Sequence, residues 1–418
     1  MVMALSGAAP RSALVTGASI AGPALAHWLS RYGWDVTVVE RAAAPRSAGQ
    51  NVDVRGVGAQ VLERIGIRDA VLARRTGEVG TAFIGLDGRV AAAFPADGSD
   101  IDGATAELEV LRGDLSALLV EQTQGSVEYV YGDTVASVEE HRAGVTVHLG
   151  GGASRQVGVV VAADGLNSST RAVLGLPAEV RSIGLETSYF TIPRTDADDD
   201  WWRWYNPGGG RSVQLRPDPY GGIRATLNLL APPAQAATTL RRRRAEQIDH
   251  LRATFADVGW HTPRVLDGLA GAEDLYSEHL GQVRDARWSR GRAVLVGDAA
   301  HCASPLSGMG TTLALTGAYV LAGELATGAA QAGSSGEDSH TAAFARYDAL
   351  MRPFVERAQK LPPGGPRLAN PRTLAGVTVF NGVVKVLASR PLRRLGDRLA
   401  SRPADAIDLP DYARLLQR

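Results

Sequence analysis

The chain has 418 residues, in which 44 lysines and arginines balance 44 aspartates and glutamates. This length allows two or three structural units, and the balanced charge gives nucleic acid or an anionic membrane no electrostatic reason to bind. Cys302 is the single cysteine, which excludes an internal disulfide and predicts a cytoplasmic protein. No apolar run is expected to approach the roughly 18 residues that span a bilayer. The nearest, residues 375–388, is interrupted by Asn381 and Lys385.

The first motif is a strand, turn, helix and strand between residues 12 and 40. Gly17 and Gly22 occupy the outer positions of a Gly-x-Gly-x-x-Gly turn, and Ser19 occupies the middle one. In such a unit a pyrophosphate rests on the helix N-terminus, and an acid about 20 residues later accepts a ribose hydroxyl. The residues predicted to bind a dinucleotide are therefore Gly17, Ser19, Ile20, Ala21 and Glu40. Taken alone, the segment also fits a turn without a ligand.

Further along, helix and strand patterns alternate, as in an α/β protein with a strand-rich insertion. A helix is predicted over residues 110–122, and the apolar run 157–163 predicts a strand buried on both faces. This strand leads directly into Asp164-Gly165. Residues 183–230 are again strand-like.

The strand-like region contains a cluster of tryptophans at positions 201–204. Because side chains alternate along a strand, Trp202 and Trp204 share one face and Trp201 lies on the other. Two interpretations of that face stay open, a substrate cavity and an aromatic core. The arginines at 241–244 are interpreted as the solvated face of a helix.

The most informative stretch ends an apolar run in Gly297-Asp298 and continues through the loop 305–310 into a second apolar helix. It offers one carboxylate and free backbone N–H groups to a ligand with hydroxyls and an electron-poor ring. Flavin adenine dinucleotide (FAD) is such a ligand, because Asp298 can bond its ribityl chain and a helix N-terminus can hold its pyrimidine carbonyl. His301 and Cys302 are interpreted as a packing residue and an inert thiol.

Together with Arg112, these motifs occur in the order found in one family. The chain resembles the single-component flavoprotein aromatic hydroxylases, which include para-hydroxybenzoate hydroxylase and the tetracycline-modifying monooxygenases. The resemblance spans residues 12–350. It implies an α/β fold with a discontinuous Rossmann-like FAD-binding domain, a mainly antiparallel β-sheet substrate domain and a C-terminal helical segment. The FAD-binding domain is expected at residues 1–78, 105–180 and 281–360, and the substrate domain at 79–104 and 181–280. The C-terminal segment is expected at 361–418, with helices at 374–387 and 392–399.

The resemblance also implies roles for individual residues. Glu40 would hold the adenosine ribose with Arg41 beside the adenine, while Arg112 and Asp298 would contact the ribityl and phosphate region. Arg46 and Asp53 match residues that touch NADPH and flavin in the tetracycline-modifying members. Asp164 matches a second fingerprint that serves both cofactors. The residues expected to frame the isoalloxazine ring are Pro305, Gly308, Gly310 and Thr311.

Other interpretations of two of these residues remain open. Arg112 also fits a helix N-terminal residue paired with Asp114 or Glu109, and Asp164-Gly165 also fits an ordinary strand-to-turn junction.

The implied function is an FAD-dependent, NAD(P)H-consuming monooxygenase that hydroxylates an aromatic or polyketide-like small molecule. In this family reduced flavin and O2 form a C4a-hydroperoxide, so no metal site is expected and no catalytic base is identified. FAD is expected to bind non-covalently and NAD(P)H transiently. Gln50 and Thr312 depart from the family pattern. They leave open an alternative, a biosynthetic enzyme that binds FAD and catalyses a cyclisation or rearrangement without hydroxylation.

Overall fold

The computed structural model describes residues 11–45, 49–96, 108–235, 238, 242–284, 287–331, 339–362, 364–389, 404 and 407–416. Arg46 and the helix expected at 392–399 lie outside these residues. The strands are β1 (Ser12–Thr16), β2 (Asp35–Glu40), β3 (Asn51–Val54), β4 (Gly80–Ile84), β5 (Val90–Pro95), β6 (Leu108–Leu111), β7 (Glu128–Tyr131), β8 (Val135–His141), β9 (Gly144–Leu149), β10 (Ser154–Val157), β11 (Val159–Ala162), β12 (Glu179–Pro193), β13 (Trp201–Gly208), β14 (Arg211–Pro217), β15 (Gly222–Leu230), β16 (Tyr276–Arg284), β17 (Ser289–Arg290) and β18 (Ala293–Leu295).

The helices alternate with these strands. They are α1 (Ala21–Arg31), α2 (Val57–Ile65), α3 (Arg68–Ala73), α4 (Arg112–Glu121), α5 (Thr170–Val173), α6 (Arg244–Phe255), α7 (Thr262–Gly268), α8 (Asp298–His301), α9 (Gly310–Gln331), α10 (Ser339–Ala358), α11 (Gly365–Ala369) and α12 (Leu374–Leu387).

A six-stranded sheet forms the first layer, in the order β17-β18-β11-β1-β2-β7. Its strands pair in parallel except β17, which runs antiparallel to β18. Leu14, Val160 and Val294 are fully buried in this sheet, as expected for parallel strands covered on both faces. The carboxyl ends of parallel strands meet at one edge of a sheet, which is where α/β proteins bind ligands. The Gly17 turn, Glu40, Asp164 and Gly297-Asp298 all follow strands at this edge.

A seven-stranded sheet, in the order β16-β12-β15-β14-β13-β4-β5, forms a second unit. All its pairs are antiparallel except β13 with β4. One face packs on α6 and α7 through a core that includes Phe190, Leu215, Leu227 and Phe255. The fold class expected from the sequence, a Rossmann-like unit with a mainly antiparallel sheet and C-terminal helices, is confirmed.

Two smaller sheets complete the described strands, the order being β10-β9-β8 in one and β3-β6 in the other. In the β3-β6 ribbon, Asp53 pairs with Glu109 and Asn51 with Leu111. The chain enters α4 directly after β6, so the ribbon places Arg112 beside the Gly17 turn.

Helix α9 corrects the expectation that no apolar run approaches membrane length. Residues Gly310–Ala330 are long and apolar enough to cross a bilayer by length and composition, yet this stretch is mostly buried inside the protein. Polar residues such as Thr316 and Glu324 interrupt the run, which hides its apolar character in the sequence. Helix α9 packs against α1, α2 and α10, as the core helix of the first unit.

Helix α12 lies on the other unit, where it packs against β4, β5 and β13. Val377 and Val384 are buried at a spacing of two helical turns, and Phe380 contacts Phe83 of β4 with ring centroids 5.6 Å apart. The C-terminal segment therefore covers one end of the seven-stranded sheet.

Candidate functional site

The turn between β1 and α1 is possible only with glycine at two positions. Gly17 has φ +94°, and a Cβ there would lie 2.6 Å from the Ala163 carbonyl oxygen. A Cβ on Gly22 would lie 1.9 Å from the Gly17 carbonyl oxygen. The missing side chains let α1 start directly against the strand ends, with Ile20 and Ala21 buried at its first turn. Such a helix N-terminus attracts phosphate.

Glu40 closes this turn from the end of β2. Its carboxylate accepts hydrogen bonds of 2.8 Å from the backbone N–H groups of Ala18 and Ala42. Two bonds fix the carboxylate, and its remaining lone pairs can accept hydroxyl protons. Arg41, the next residue, is exposed.

The middle position of the glycine motif is tied to α4. Arg112 donates from Nε to the Ser19 hydroxyl oxygen at 3.0 Å, and Ser116 donates to the carbonyls of Ala18 and Ser19. Neither partner considered for Arg112 in the sequence is the one observed, since Asp114 accepts from the Tyr220 hydroxyl and Glu109 pairs elsewhere. Ser19 thus brings a guanidinium to the phosphate end of the turn.

Asp298 begins α8 at the end of β18, where Gly297 has φ +62°. A Cβ on Gly297 would lie 2.7 Å from the Ala21 Cβ, so glycine lets the two halves of the site touch. Burial raises the pKa of the half-buried Asp298 carboxyl, and the Arg112 charge opposes that rise. Asp298, Arg112, Ser19 and Glu40 therefore line one cleft at the strand ends.

A loop between α8 and α9 forms the far wall of the cleft. It contains a short 3-10 helix, Pro305–Ser307, flanked by Ser304 at φ +76° and Gly308 at φ +62°. A non-glycine residue in this conformation costs roughly 1–3 kcal/mol, and such strain clusters at functional sites. Gly310 and Thr311 then begin α9, so backbone N–H groups face the cleft.

Asp53 of β3 and Arg55, which directly follows β3, reach the same loop. They form an ion pair of 2.9 Å, and a Cβ on Gly308 would lie 3.6 Å from Asp53 Oδ2. The fully buried Thr312 hydroxyl accepts from the Arg55 N–H at 3.1 Å and donates to the Arg55 carbonyl at 3.2 Å. Thr312, an unusual residue in the sequence, therefore holds the β3 segment against the loop.

Asp164 turns away from the cleft and caps α5. Its carboxylate accepts from the Ser168 hydroxyl and from the N–H and hydroxyl of Thr170. The following Arg171 donates to the Ala299 carbonyl at 3.0 Å. These contacts match the junction interpretation of Asp164, which braces the turn behind Asp298.

His301 and Cys302 lie behind the cleft as well. Burial lowers the pKa of His301 to about 3, and its ring packs on Trp288 with centroids 5.1 Å apart. Cys302 is buried, and burial raises its pKa well above the usual range of a thiol. Both residues are packed as the sequence predicts.

The seven-stranded sheet turns its polar and aromatic face toward this cleft. We call it the front face; its described residues include Phe83, Tyr189, Trp202, Trp204, Gln214, Arg216, Arg224, Thr226 and Glu278. Trp202 and Trp204 share it, with ring centroids 5.4 Å apart, as strand alternation predicts. Phe83 stacks on Trp204 at 5.7 Å.

Glu278 extends the cleft onto the front face and was not predicted from the sequence. Burial raises its pKa, while the Arg112 charge opposes that rise and the Asp298 charge adds to it. Tyr276 donates a hydroxyl hydrogen bond to it at 3.3 Å, and Oε1 has no hydrogen-bond partner. No sequence motif marked it, because it stands at a strand position between a serine and a histidine.

A buried ionic cluster joins the front face to the β3-β6 ribbon, and it too was missed. Arg216 pairs with Glu109 and, at 2.9 Å, with Glu78. Asn51 donates to Glu109 at 2.7 Å. Burial raises the pKa of Glu78 to about 8, against the opposing Arg216 charge, and raises that of Glu109. One signal was available, since Glu109 interrupts the apolar strand Leu108–Leu111.

The cleft fits FAD in the order of its chemical groups. The glycine turn provides N–H groups for a pyrophosphate, Glu40 an acceptor for ribose hydroxyls, and Asp298 an acceptor for a ribityl chain. Among the described residues, no group of three or more His, Cys, Asp or Glu could hold a metal ion.

Comparison with known proteins decides what this cleft belongs to. Residues 11–351 match the model of the FAD binding domain family.

The chain belongs to this family.

The FAD-dependent monooxygenase asL4 of Sarocladium schorii is 34% identical over 423 residues, covering 97% of this chain and 98% of the relative. The flavin-dependent monooxygenase eupH of Phoma sp is 35% identical over 422 residues, covering 96% and 97%. The resemblance drawn from the motifs is confirmed, and the protein is a flavin-dependent monooxygenase that binds FAD.

Solved structures agree with this assignment. Tetracycline destructase Tet(55) superposes with a TM-score of 0.76 at 31% identity, covering 96% of this chain and 99% of that chain. Klebsiella pneumoniae HpxO, crystallised with FAD and uric acid, shares the fold with a TM-score of 0.70 at 22% identity. Its coverage is 92% of this chain and 96% of its own.

Proposed function

We propose that this monooxygenase takes electrons from NADH or NADPH and hydroxylates an aromatic or polyketide-like small molecule in the cytoplasm. The front face carries the proposal, because it presents aromatic rings toward the cleft of the FAD-binding unit. Similarity to a tetracycline destructase, whose name indicates a polyketide-type antibiotic, supports a multi-ring substrate. We also infer that the first unit (1–78, 105–180 and 281–360) holds the cofactor and the second (79–104 and 181–280) the substrate, with 361–418 bracing them.

The residues at the strand ends would hold FAD. The Gly17 turn and the N-terminus of α1 would take the pyrophosphate, Glu40 the adenosine ribose, and Arg112 with Asp298 the ribityl and phosphate groups. Pro305, Gly308, Gly310 and Thr311 would surround the ring, and the backbone N–H groups of Gly310 and Thr311 at the start of α9 would favour negative charge there. Asp53 would reach the same ring through its place beside Gly308.

When bound, FAD supplies hydride acceptance and oxygen activation. The protein's own part is positioning and exclusion of water. The front face would hold the substrate ring against the loop 304–311, and Thr312 would keep the β3 wall closed. Glu278, with its raised pKa and unpartnered Oε1, can keep or pass a proton at that atom.

Rapid mixing of the FAD-loaded protein with NADH or NADPH tests this proposal. We expect the visible absorbance of the flavin to bleach with at least one nicotinamide, and faster with a multi-ring phenol present. Flavin that stays oxidised with both nicotinamides and every aromatic ligand would contradict it. That outcome would instead support the non-hydroxylating alternative.

A further inference from the structure

We infer that the front face selects uncharged multi-ring aromatic substrates and rejects aromatic carboxylates. The inference rests on the proposed function in taking the front face as the substrate surface, and it adds the charge class of the ligand. Two features carry it, an aromatic platform and the state of the arginines beside it.

The platform consists of Phe83, Trp202, Trp204 and Phe380. Trp204 lies between Phe83 and Trp202, with centroid distances of 5.7 Å and 5.4 Å, and Phe380 of α12 meets Phe83 edge-on at 5.6 Å. All four side chains are half-buried. The indole N–H groups of the two tryptophans already donate hydrogen bonds, Trp202 to the Gln214 side-chain oxygen at 3.1 Å and Trp204 to the Asn206 side-chain oxygen at 3.2 Å. The rings therefore form a fixed column in which each ring is stacked on, tilted against or edge-on to the next. A ligand would meet the edges of this column over a width of more than one ring, and aromatic edges attract the face of another aromatic ring.

Arg216 lies against this platform, with its guanidinium carbon 4.1 Å from the centre of the Trp202 ring. Its guanidinium group is already paired with the Glu78 carboxyl group at 2.9 Å and with the Glu109 carboxyl group. The side chains of these glutamates are 2% and 5% exposed. Two acids face one cation, so even with one of them protonated the other balances Arg216, and the cluster has no surplus positive charge for a ligand.

Arg224 is the neighbour of Arg216 across the β14–β15 pair, and it is occupied in the same way. It pairs with Asp218 at 2.7 Å and with Asp274 at 2.9 Å. Arg216 and Arg224 are the two arginines among the described front-face residues, and each forms ion pairs with two acidic side chains. Asp53 also acts on Arg216 through its charge and is itself paired with Arg55, whereas the Gln214 amide and the Thr226 hydroxyl on the front face are uncharged.

An aromatic carboxylate on this platform would have to lose its water without gaining a free cation. Burying an unpaired carboxylate is far costlier than burying a neutral hydroxyl, and the third acid beside Arg216 would add like-charge repulsion. Amides and hydroxyls, in contrast, can bond the hydroxyl or carbonyl groups of a neutral polycyclic phenol.

A matched pair of probes tests the inference on the FAD-loaded protein. 2-Naphthol and 6-hydroxy-2-naphthoate share a two-ring phenol and differ in one carboxylate, and tryptophan fluorescence reports binding near Trp202. We expect naphthol to bind at least about tenfold more tightly at neutral pH, the equivalent of roughly 1.4 kcal/mol. Equal or tighter binding of the naphthoate overturns the inference, as does the absence of binding by both probes.

Variants test whether the glutamates cause the selection. E78Q combined with E109Q removes both acids from Arg216, so we expect the naphthoate affinity to rise at least about tenfold, and R216Q added to that background should abolish the gain. E179Q, on an exposed glutamate remote from the cluster, should change neither affinity. If the double variant fails to fold, R216Q in the otherwise unchanged protein replaces it, and a loss of naphthoate affinity there overturns the inference, because it would show that Arg216 already serves the ligand. An unchanged preference after release of Arg216 overturns the inference.

These outcomes are separate from those of the proposed function. Ligand affinity needs neither NAD(P)H nor O2, so a protein that prefers naphthol but never reduces its flavin would refute the proposed function alone. A protein that is reduced by NAD(P)H and prefers the naphthoate would refute the charge selection alone.

Discussion

The cofactor cleft and the front face are built from different kinds of contact. In the cleft, residues at strand ends are held by hydrogen bonds to nearby backbone groups. Glu40, for example, accepts from the N–H groups of Ala18 and Ala42. On the front face, charges meet across the chain: Arg216 is 138 residues from Glu78 and 107 from Glu109. The cleft is general to a family that shares FAD, whereas we propose that the front face sets this chain's own substrate selectivity.

The largest effect is expected from a side chain added at the cleft. Gly22→Ala places a Cβ 1.9 Å from the Gly17 carbonyl oxygen. The backbone at this tight turn cannot move away from the new atom without a large cost in free energy. We expect a loss of roughly 3 kcal/mol in unfolding free energy and no retained FAD, measured by denaturant titration and by absorbance after gel filtration. Gly382→Ala, at an α12 position with open space around it, is the control and should retain FAD. A yellow, stable G22A protein would refute the tight-turn account.

Asp298→Ala tests the ribityl end of the same cleft. Losing hydrogen bonds to a charged group costs about 1.5–3 kcal/mol, so the Kd for FAD should rise roughly tenfold to a hundredfold, measured by titration of the apoprotein. Asp249→Asn, on the exposed side of α6, should leave the Kd unchanged. An unaltered Kd in D298A would remove Asp298 from the cofactor site.

Protonation of His301, behind the cleft, should make the stability of the protein depend on pH. Its pKa in the folded protein is about 3, below the usual 6.5, so the unfolded chain binds the proton first as pH falls. Stability from this group is complete above about pH 6.5 and declines by up to about 1.4 kcal/mol per pH unit below it. H301Q should show a flatter decline between about pH 6.5 and about pH 5 in denaturant titrations. Parallel curves for both proteins would contradict this.

Glu78 should make the stability of the protein depend on pH in the opposite direction. Its pKa in the folded protein is raised to about 8 from 4.5, so folding takes up a proton within that window and stability falls as pH rises. Glu78→Gln keeps the neutral form and should remove part of this fall, seen as a smaller difference in unfolding midpoint between pH values near the two ends of the window. A larger difference would mean that Glu78 is ionised in the folded protein.

The smallest effect is expected at Thr312. Thr312→Val removes both hydrogen bonds to Arg55, although the Arg55 carbonyl keeps the hydrogen bond from the Gly58 N–H. We expect a cost of about 1–3 kcal/mol, mainly from loss of the acceptor for the Arg55 N–H. FAD affinity should fall less than in D298A, because the contact acts through the β3 wall. Thr378→Val, on the exposed side of α12, should cost less than T312V in the same thermal melt. Equal losses in the two variants would show that Thr312 has no special role.

Sequence reasoning reached the cleft because its signals are local. Gly17 directly follows β1, Glu40 ends β2 and Gly297-Asp298 comes just after β18, and parallel strands bring their ends to one edge. Trp202 and Trp204 were placed on one face by alternation alone. The sequence could not pair Arg216 with Glu78 and Glu109, since those partners depend on the register of separate sheets. For Asp164 the sequence left two interpretations open, and the contacts of its carboxylate with Ser168 and Thr170 match the strand-to-turn junction. The sequence analysis also missed the apolar length of α9.

The most direct measurement of the central claim is the mass of the product formed under heavy-isotope O2. FAD-loaded protein would be given NAD(P)H and a neutral multi-ring phenol that binds the front face. We expect a hydroxylated product that carries one heavy oxygen atom, with the other oxygen atom released as water and nicotinamide consumed in proportion. A product of unchanged mass, or one whose new oxygen comes from water, would contradict it.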